Sequence, residues 1–152
     1  MSKKTTTQET TEGVKVSVKV ESYAKELKAT VYDAAMRGLK SVGMESVTLT
    51  HRQKEQGGTP VDTGRLRNSI AWAVGNSSGG GSDGTGGGDK PLQAPEDWTL
   101  AIGSNVEYAQ IVEEGGGKRK PVRMLRNAIT DISTSERAGK IITASIDAAL
   151  DD

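Results

Sequence analysis

A chain of 152 residues has the length of one domain, and its 20 basic and 20 acidic residues cancel, so no net positive field marks it as a nucleic-acid binder. It contains no Cys, which excludes disulfides and thiolate metal sites. With 34% hydrophobic residues and no Phe, its core must be built from Val, Ile, Leu and Ala around Trp72, Trp98 and three Tyr, a modest store of apolar surface that a partner would enlarge.

Residues 1–12 are mostly Thr, Lys, Gln and Glu with little to bury, and read as a disordered tail ahead of a single domain over 13–152. Val14, Val16, Val18 and Val20 alternate with Lys15, Ser17 and Lys19, the period-2 pattern of a strand with one buried face. From Ser22 the period becomes helical: Leu27, Val31, Ala34, Ala35, Leu39, Val42, Ser46 and Leu49 form one stripe. The stripe is rich in small residues, Gly38 among them, so another element can approach it closely. Gly43 is a point where the helix would bend or divide, and Gly57-Gly58-Thr59-Pro60 ends it.

A polar turn, Asp62-Thr63-Gly64, follows, with side chains suited to accept backbone hydrogen bonds and a glycine tolerant of positive φ. After a helical turn at Arg65–Asn68, the alternation of Ile70, Trp72 and Val74 with Ala71 and Ala73 predicts a strand. Trp98, Leu100 and Ile102 predict its partner, closed by Gly103. Between them, residues 75–90 hold eight Gly and read as a flexible hairpin tip. Tyr108 to Glu114 is a short helix closed by Gly115-Gly116-Gly117. A basic loop leads into a last helix carrying Leu125, Ile129, Ile132, Gly139, Ile142, Ile146 and Leu150, with a break near Ser133 where Ser133 and Glu136 have capping-box spacing. The order implies an α+β fold: a small antiparallel sheet, made of the N-terminal strand and the long-tipped β-hairpin, packed against a long N-terminal helix and a C-terminal helix.

Catalytic chemistry finds little to work with. The Gly-rich segment runs into Gly88-Asp89-Lys90-Pro91, whose Pro breaks the pattern of a phosphate loop, and a strand rather than a dinucleotide-fold helix follows. His51, the single histidine, sits among Arg52, Lys54 and Glu55 and reads as solvated. Glu113-Glu114 and Asp151-Asp152 are paired by adjacency alone, whereas acid–base work needs groups converging from different elements; Glu113-Glu114 suits a cap or an ion pair with Arg across an interface. No enzyme activity, cofactor or metal site is expected. No apolar run approaches the roughly 18 residues of a membrane span, and Met1-Ser2-Lys3-Lys4-Thr5 lacks a signal-peptide core, so a soluble protein made in a cytosol, without membrane partners, is expected. Lys118, Arg119, Lys120, Arg123 and Arg126 occupy residues 115–126 with no acidic neighbour. Cations at the start of a helix oppose its dipole, so this stretch reads either as a solvated loop or as a candidate interface for acidic residues or phosphates. It has no interleaved aromatics for stacking bases.

Two blocks carry a family resemblance. Pro60-Val61-Asp62-Thr63-Gly64-Arg65-Leu66-Arg67-Asn68-Ser69-Ile70 resembles the P-x-D-T-G-x-L-x-x-S-I signature of a neck or tail-completion family of long-tailed bacteriophages, head-tail joining and minor tail components. Ile102-Gly103-Ser104-Asn105-Val106-Glu107-Tyr108-Ala109, continued by Val112-Glu113-Glu114-Gly115, is similar to its second signature, I-G-x-x-x-x-Y-A-x-x-x-E-x-G. A third element is kept in part: Pro121, Leu125 and Ala128 are present, but the usual Phe is missing.

The resemblance spans about residues 14–150 and implies a structural virion protein. Such a protein forms a ring, a hexamer, in the neck, where it completes the tail and joins it to the head. It implies as partners further copies of the chain, the tail-tube or tail-terminator protein and a portal-adaptor or head-completion protein, with DNA passing through the lumen. It also implies motif positions at Pro60, Asp62, Thr63, Gly64, Leu66, Ser69, Ile70, Gly103, Tyr108, Ala109, Glu113 and Gly115, which read first as maintaining the fold, with the Tyr108 hydroxyl taking a polar partner, and second as contacting a partner directly. The competing readings are a tail-terminator ring capping the tube and, from another class, a small nucleic-acid-binding module using the basic loop 118–126.

Overall fold

The computed structural model describes residues 6–10, 13–17, 24–60, 64–80, 92–94 and 96–151, arranged along one long helix, α1 (Ala24–Thr50). Ahead of it lie strands β1 (Thr6–Thr10) and β2 (Gly13–Ser17). After it come α2 (Arg65–Ser69), β3 (Ala71–Val74), β4 (Ser77–Gly80), β5 (Leu100–Gly103), α3 (Ala109–Glu114), α4 (Met124–Thr134) and α5 (Arg137–Asp151). The fold is α+β: a small antiparallel sheet packs on α1, and α4 and α5 pack on the same helix.

β3 is the middle strand in the order β4-β3-β5, with Trp72 opposite Ile102 and Val74 opposite Leu100. All four β3 residues are buried, because neighbours flank it on both edges and α1 covers the face bearing Trp72. The apolar centre gathers Val47 of α1, Leu66 of α2, Ile70, Trp72 and Val74 around β3, Val106, Ala109 and Val112 around α3, and Met124 of α4.

Several expectations are corrected. Residues 1–12 were expected to be a disordered tail, but Thr6–Thr10 is a strand. The N-terminal strand does not join the hairpin: β2 pairs antiparallel with β1, Thr7 opposite Val16, in a separate two-stranded sheet. Residues 18–20 of that expected strand lie outside the described residues. The proposed flexible tip 75–90 begins with structure, since Gly75 (φ 53) and Asn76 turn the chain tightly and Ser77–Gly80 pairs with β3 as β4. Residues 81–90 of the tip lie outside the described residues. Trp98 is not in β5; it stands 58% exposed in the preceding turn, edge-on to Tyr32 of α1 with ring centroids 4.8 Å apart.

The glycines of α1 act through close contact. Gly43 does not divide the helix; a Cβ there would lie 2.9 Å from Trp72 Cγ and 3.0 Å from Leu100 Cδ1, so its bare backbone lets the sheet approach. At Gly38 a Cβ would come within 2.8 Å of Ile142 Cα and 3.2 Å of Ser145 Cβ, which identifies α5 as the closely approaching element. α1 also stops before the Gly57-Gly58 pair. The Thr50 carbonyl accepts both the Thr59 N–H and the Thr59 hydroxyl, each at 2.8 Å, and a single 3-10 turn (Lys54–Gln56) fills the fold-back.

The C-terminal helix breaks near Ser133 as expected, at Ser135 and Glu136, but not through a capping box. Ser133 is still inside α4 and its carbonyl accepts the Glu136 N–H, so Glu136 cannot serve as the third residue of a capping box. Glu136 instead takes φ 57 and passes its own carbonyl to the Lys140 N–H at the start of α5. Arg137 and Glu45 pair across α5 and α1.

Two glycine substitutions should therefore act in opposite directions. Gly38→Ala gains helix propensity worth about 1 kcal/mol but must displace α5 backbone, for a net loss of ~1–2 kcal/mol. Gly139→Ala on α5 meets nothing within 4 Å and should gain up to ~0.5–1 kcal/mol. Urea unfolding of both variants reads the difference.

Candidate functional site

The two sequence blocks meet in space. Gly64, at φ 74, precedes α2, and Asn68 N–H bonds back to its carbonyl at 2.9 Å. This turn of helix aims Leu66 and Ser69 inward, with Leu66 5% and Ser69 1% exposed, and delivers Ile70, fully buried, into β3. From the second block, Gly103 closes β5 opposite Ala71, with Leu92 3.4 Å from where its Cβ would stand. Ser104 then reaches across to Ser69, Oγ to Oγ at 2.5 Å.

The donors in this contact can be ordered. A hydroxyl has one proton, and Ser69 gives its own to the Leu66 carbonyl at 2.7 Å, so Ser104 donates to Ser69 and accepts the Val106 N–H at 3.2 Å. The relay runs one way, from the loop after β5 into α2, and binds the first block to the second.

The remaining second-block residues set up the basic loop. Tyr108 sits at the start of α3 with Ala109 buried behind it. Among the described residues no hydrogen bond reaches the Tyr108 hydroxyl, so the polar partner expected for it is not found there. Glu113 is a cap: its two carboxylate oxygens accept the N–H groups of Leu125 at 3.0 Å and Arg126 at 2.9 Å, the open donors at the N-terminus of α4. Its backbone carbonyl takes the Arg123 N–H and that of Val112 takes Val122 N–H, at 3.1 and 2.9 Å, lacing α3 to the approach of α4. Gly115, at φ 81, has no room for a side chain because the Arg119 carbonyl lies 2.9 Å from a would-be Cβ.

Beyond Gly115 the chain makes a tight turn closed by Gly116–Arg119 backbone bonds of 3.0 and 3.2 Å, which holds Lys118, Arg119 and Lys120 outward and exposed. Arg123 and Arg126 are exposed too, and Arg123 takes the left-handed φ of 58 at the N-cap of α4. Cations here oppose the helix dipole, and the Glu113 carboxylate supplies the anion that the end of α4 requires.

Pro60, Gly64, Leu66, Tyr108, Val112 and Arg119 line a cavity of about 460 Å³ with Arg65. Residues of both blocks and of the basic loop thus face one space. Asp62 and Thr63, the centre of the first block, lie outside the described residues.

Three contacts had no clear signal in the sequence. Ser104 occupies a variable position of the second signature yet carries the hydroxyl relay. His51 is half-buried rather than simply solvated: its Nε2–H donates to the Arg67 carbonyl while Arg67 Nη2 donates to the His51 carbonyl, both at 2.9 Å, tying the end of α1 to α2. Asn127 donates to the carbonyls of Gly57 and Val122 at 3.3 Å, linking α4 to the same corner. Such pairings become visible only when distant segments are folded together.

Truncation variants test this reading. Glu113→Ala should cost ~1–2 kcal/mol through two unsatisfied N–H groups at a helix start. Ser69→Ala and Ser104→Ala should each cost ~1 kcal/mol, and their double mutant less than the sum. Urea denaturation of the set measures both.

The model of the HK97-gp10-like family, described as "Bacteriophage HK97-gp10, putative tail-component", matches residues 15–115, a span that holds both blocks. No curated protein and no solved structure matches the chain.

Proposed function

The chain belongs to this HK97-gp10-like family of bacteriophage tail components, and from that premise we propose that it is a structural, non-catalytic protein of the virion neck, forming a ring that completes the tail and joins it to the head. The observation that carries the reading is apolar surface left uncovered on a chain with a small core. Trp98 is 58%, Met44 52%, Leu150 50% and Ile111 49% exposed, more large apolar side chain than a subunit poor in such residues would leave bare if it worked alone. α5 adds to this: it packs along α1, yet none of its residues is buried. A ring of like subunits, of which six is the copy number proposed, would cover part of that surface. Its partners would be the tail-tube or tail-terminator protein below and a head-completion or portal-adaptor protein above. Among the described residues no helix is long and apolar enough to cross a membrane.

The second reading within the class, a terminator ring that caps the tube, rests on the same surfaces and differs in phenotype. Phage made without this protein should yield full heads and tails of normal length that remain unattached. Overlong tubes would assign the terminator role instead, and intact particles would remove both. Negative-stain microscopy of the lysate distinguishes the three.

A further inference from the structure

The net charge of zero hides a segregation along the molecule. Residues 115–126 carry five basic and no acidic side chains, whereas residues 141–152 carry Asp147, Asp151 and Asp152 and no basic one. Lys118, Arg119, Lys120, Asp147 and Asp151 form no ion pair among the described residues, so the two sets do not neutralise one another within a subunit.

Their placement explains why. α5 runs antiparallel to α1, with Ile142 and Ser145 against Gly38 and Arg137 paired with Glu45. Its last turn therefore lies toward the N-terminal half of α1. The basic turn and the cavity lie at the other end, where Thr59 bonds to Thr50 and Pro60 enters the cavity wall. Extrapolating the same register, the two sites are about 28 Å apart along α1 at 1.5 Å per residue.

Each site also pairs its charge with complementary apolar chemistry. In the cavity, Leu66 and Val112 are 5% and 2% exposed and form an apolar floor beneath Arg119 and the half-exposed Tyr108. On the last turn of α5, Leu150 is 50% exposed between Asp147 and Asp151, at a C-terminus with no basic residue in its final turn. The carbonyl end of the helix adds partial negative charge.

We infer that the cavity of one subunit receives the last turn of α5 of a second copy, Leu150 entering against Leu66 and Val112 while Asp147 and Asp151 meet Lys118 and Arg119. The two surfaces differ and lie well apart along α1, so the contact is head-to-tail, the kind that closes into rings. This names the subunit contact of the ring proposed above and rests on that reading.

Charge reversal tests it on the full chain by sedimentation velocity at low and high salt. Lys118→Glu with Arg119→Glu, and separately Asp147→Lys with Asp151→Lys, should each weaken self-association by roughly tenfold or more, with circular dichroism unchanged. The chain carrying all four changes should regain it, and Leu150→Ala should weaken it without altering its salt dependence. Rings that form equally well in both reversal variants, or a quadruple variant that fails to recover, would overturn the contact while leaving the ring intact. A wild-type chain that remains monomeric at every concentration and salt would remove the ring and the contact together. Loss of DNA binding with no change in assembly would assign the basic turn to nucleic acid and overturn the inference.

Discussion

The arrangement depends on how closely the sheet can lie on α1. Trp72 and Leu100 occupy the space where Gly43 would carry a side chain, so the helix offers a gap in its own surface as a socket for the largest buried residue of the core. Because interiors pack at crystal-like density, that contact fixes the position of β3. β3 in turn fixes where α2 ends and where β5 delivers the loop carrying Ser104. A shift of the sheet away from α1 would move both halves of the motif-lined corner at once. A second gap at Gly38 does the same for α5, so two missing methyl groups on one helix determine the spacing of its main packing partners.

The signature residues divide into those that shape backbone and those that satisfy it. Gly64 and Gly115 occupy positive-φ positions; Ser69, with Ser104, and Glu113 occupy open hydrogen-bonding groups that burial or a helix start would otherwise leave unpaired. Tyr108, half-exposed on the cavity wall, is the exception among the described ones. The outward-facing chemistry belongs to the basic turn, which the inward-facing residues hold in place. Gly115, Glu113 and the Gly116–Arg119 turn hold that basic turn at a fixed angle from three directions.

Much of this was legible in the chain, for stated reasons. The stripe from Val31 to Leu49 announced a long helix because its period survives any tertiary context, and the small residue at Gly38 announced a close neighbour. The pairing of β3 with β5 followed from two alternating runs. What was not legible depended on non-local geometry. The sequence around Ser77–Gly80 has almost no β propensity, yet it pairs because a two-residue turn places it beside β3. Thr6–Thr10 lacks apolar residues and was read as tail, but pairs with β2 all the same. Trp98 fits the alternation of the following strand but is drawn to Tyr32 instead. The Ser69–Ser104 and His51–Arg67 contacts join residues 35 and 16 positions apart, and no local pattern encodes them.

The half-covered state of α5 has a consequence for how the subunit holds its shape through time. Local stability follows buried contact, and the elements with least of it open first, far more often than the molecule unfolds as a whole. α5 packs on α1 but buries no residue, so it belongs with the elements expected to open early, which hydrogen exchange at its amides would read. Any neighbour that covers it binds only the closed form and adds its own affinity to that form. A helix held in this way would settle twice, once as the domain folds and again when a neighbouring subunit covers it.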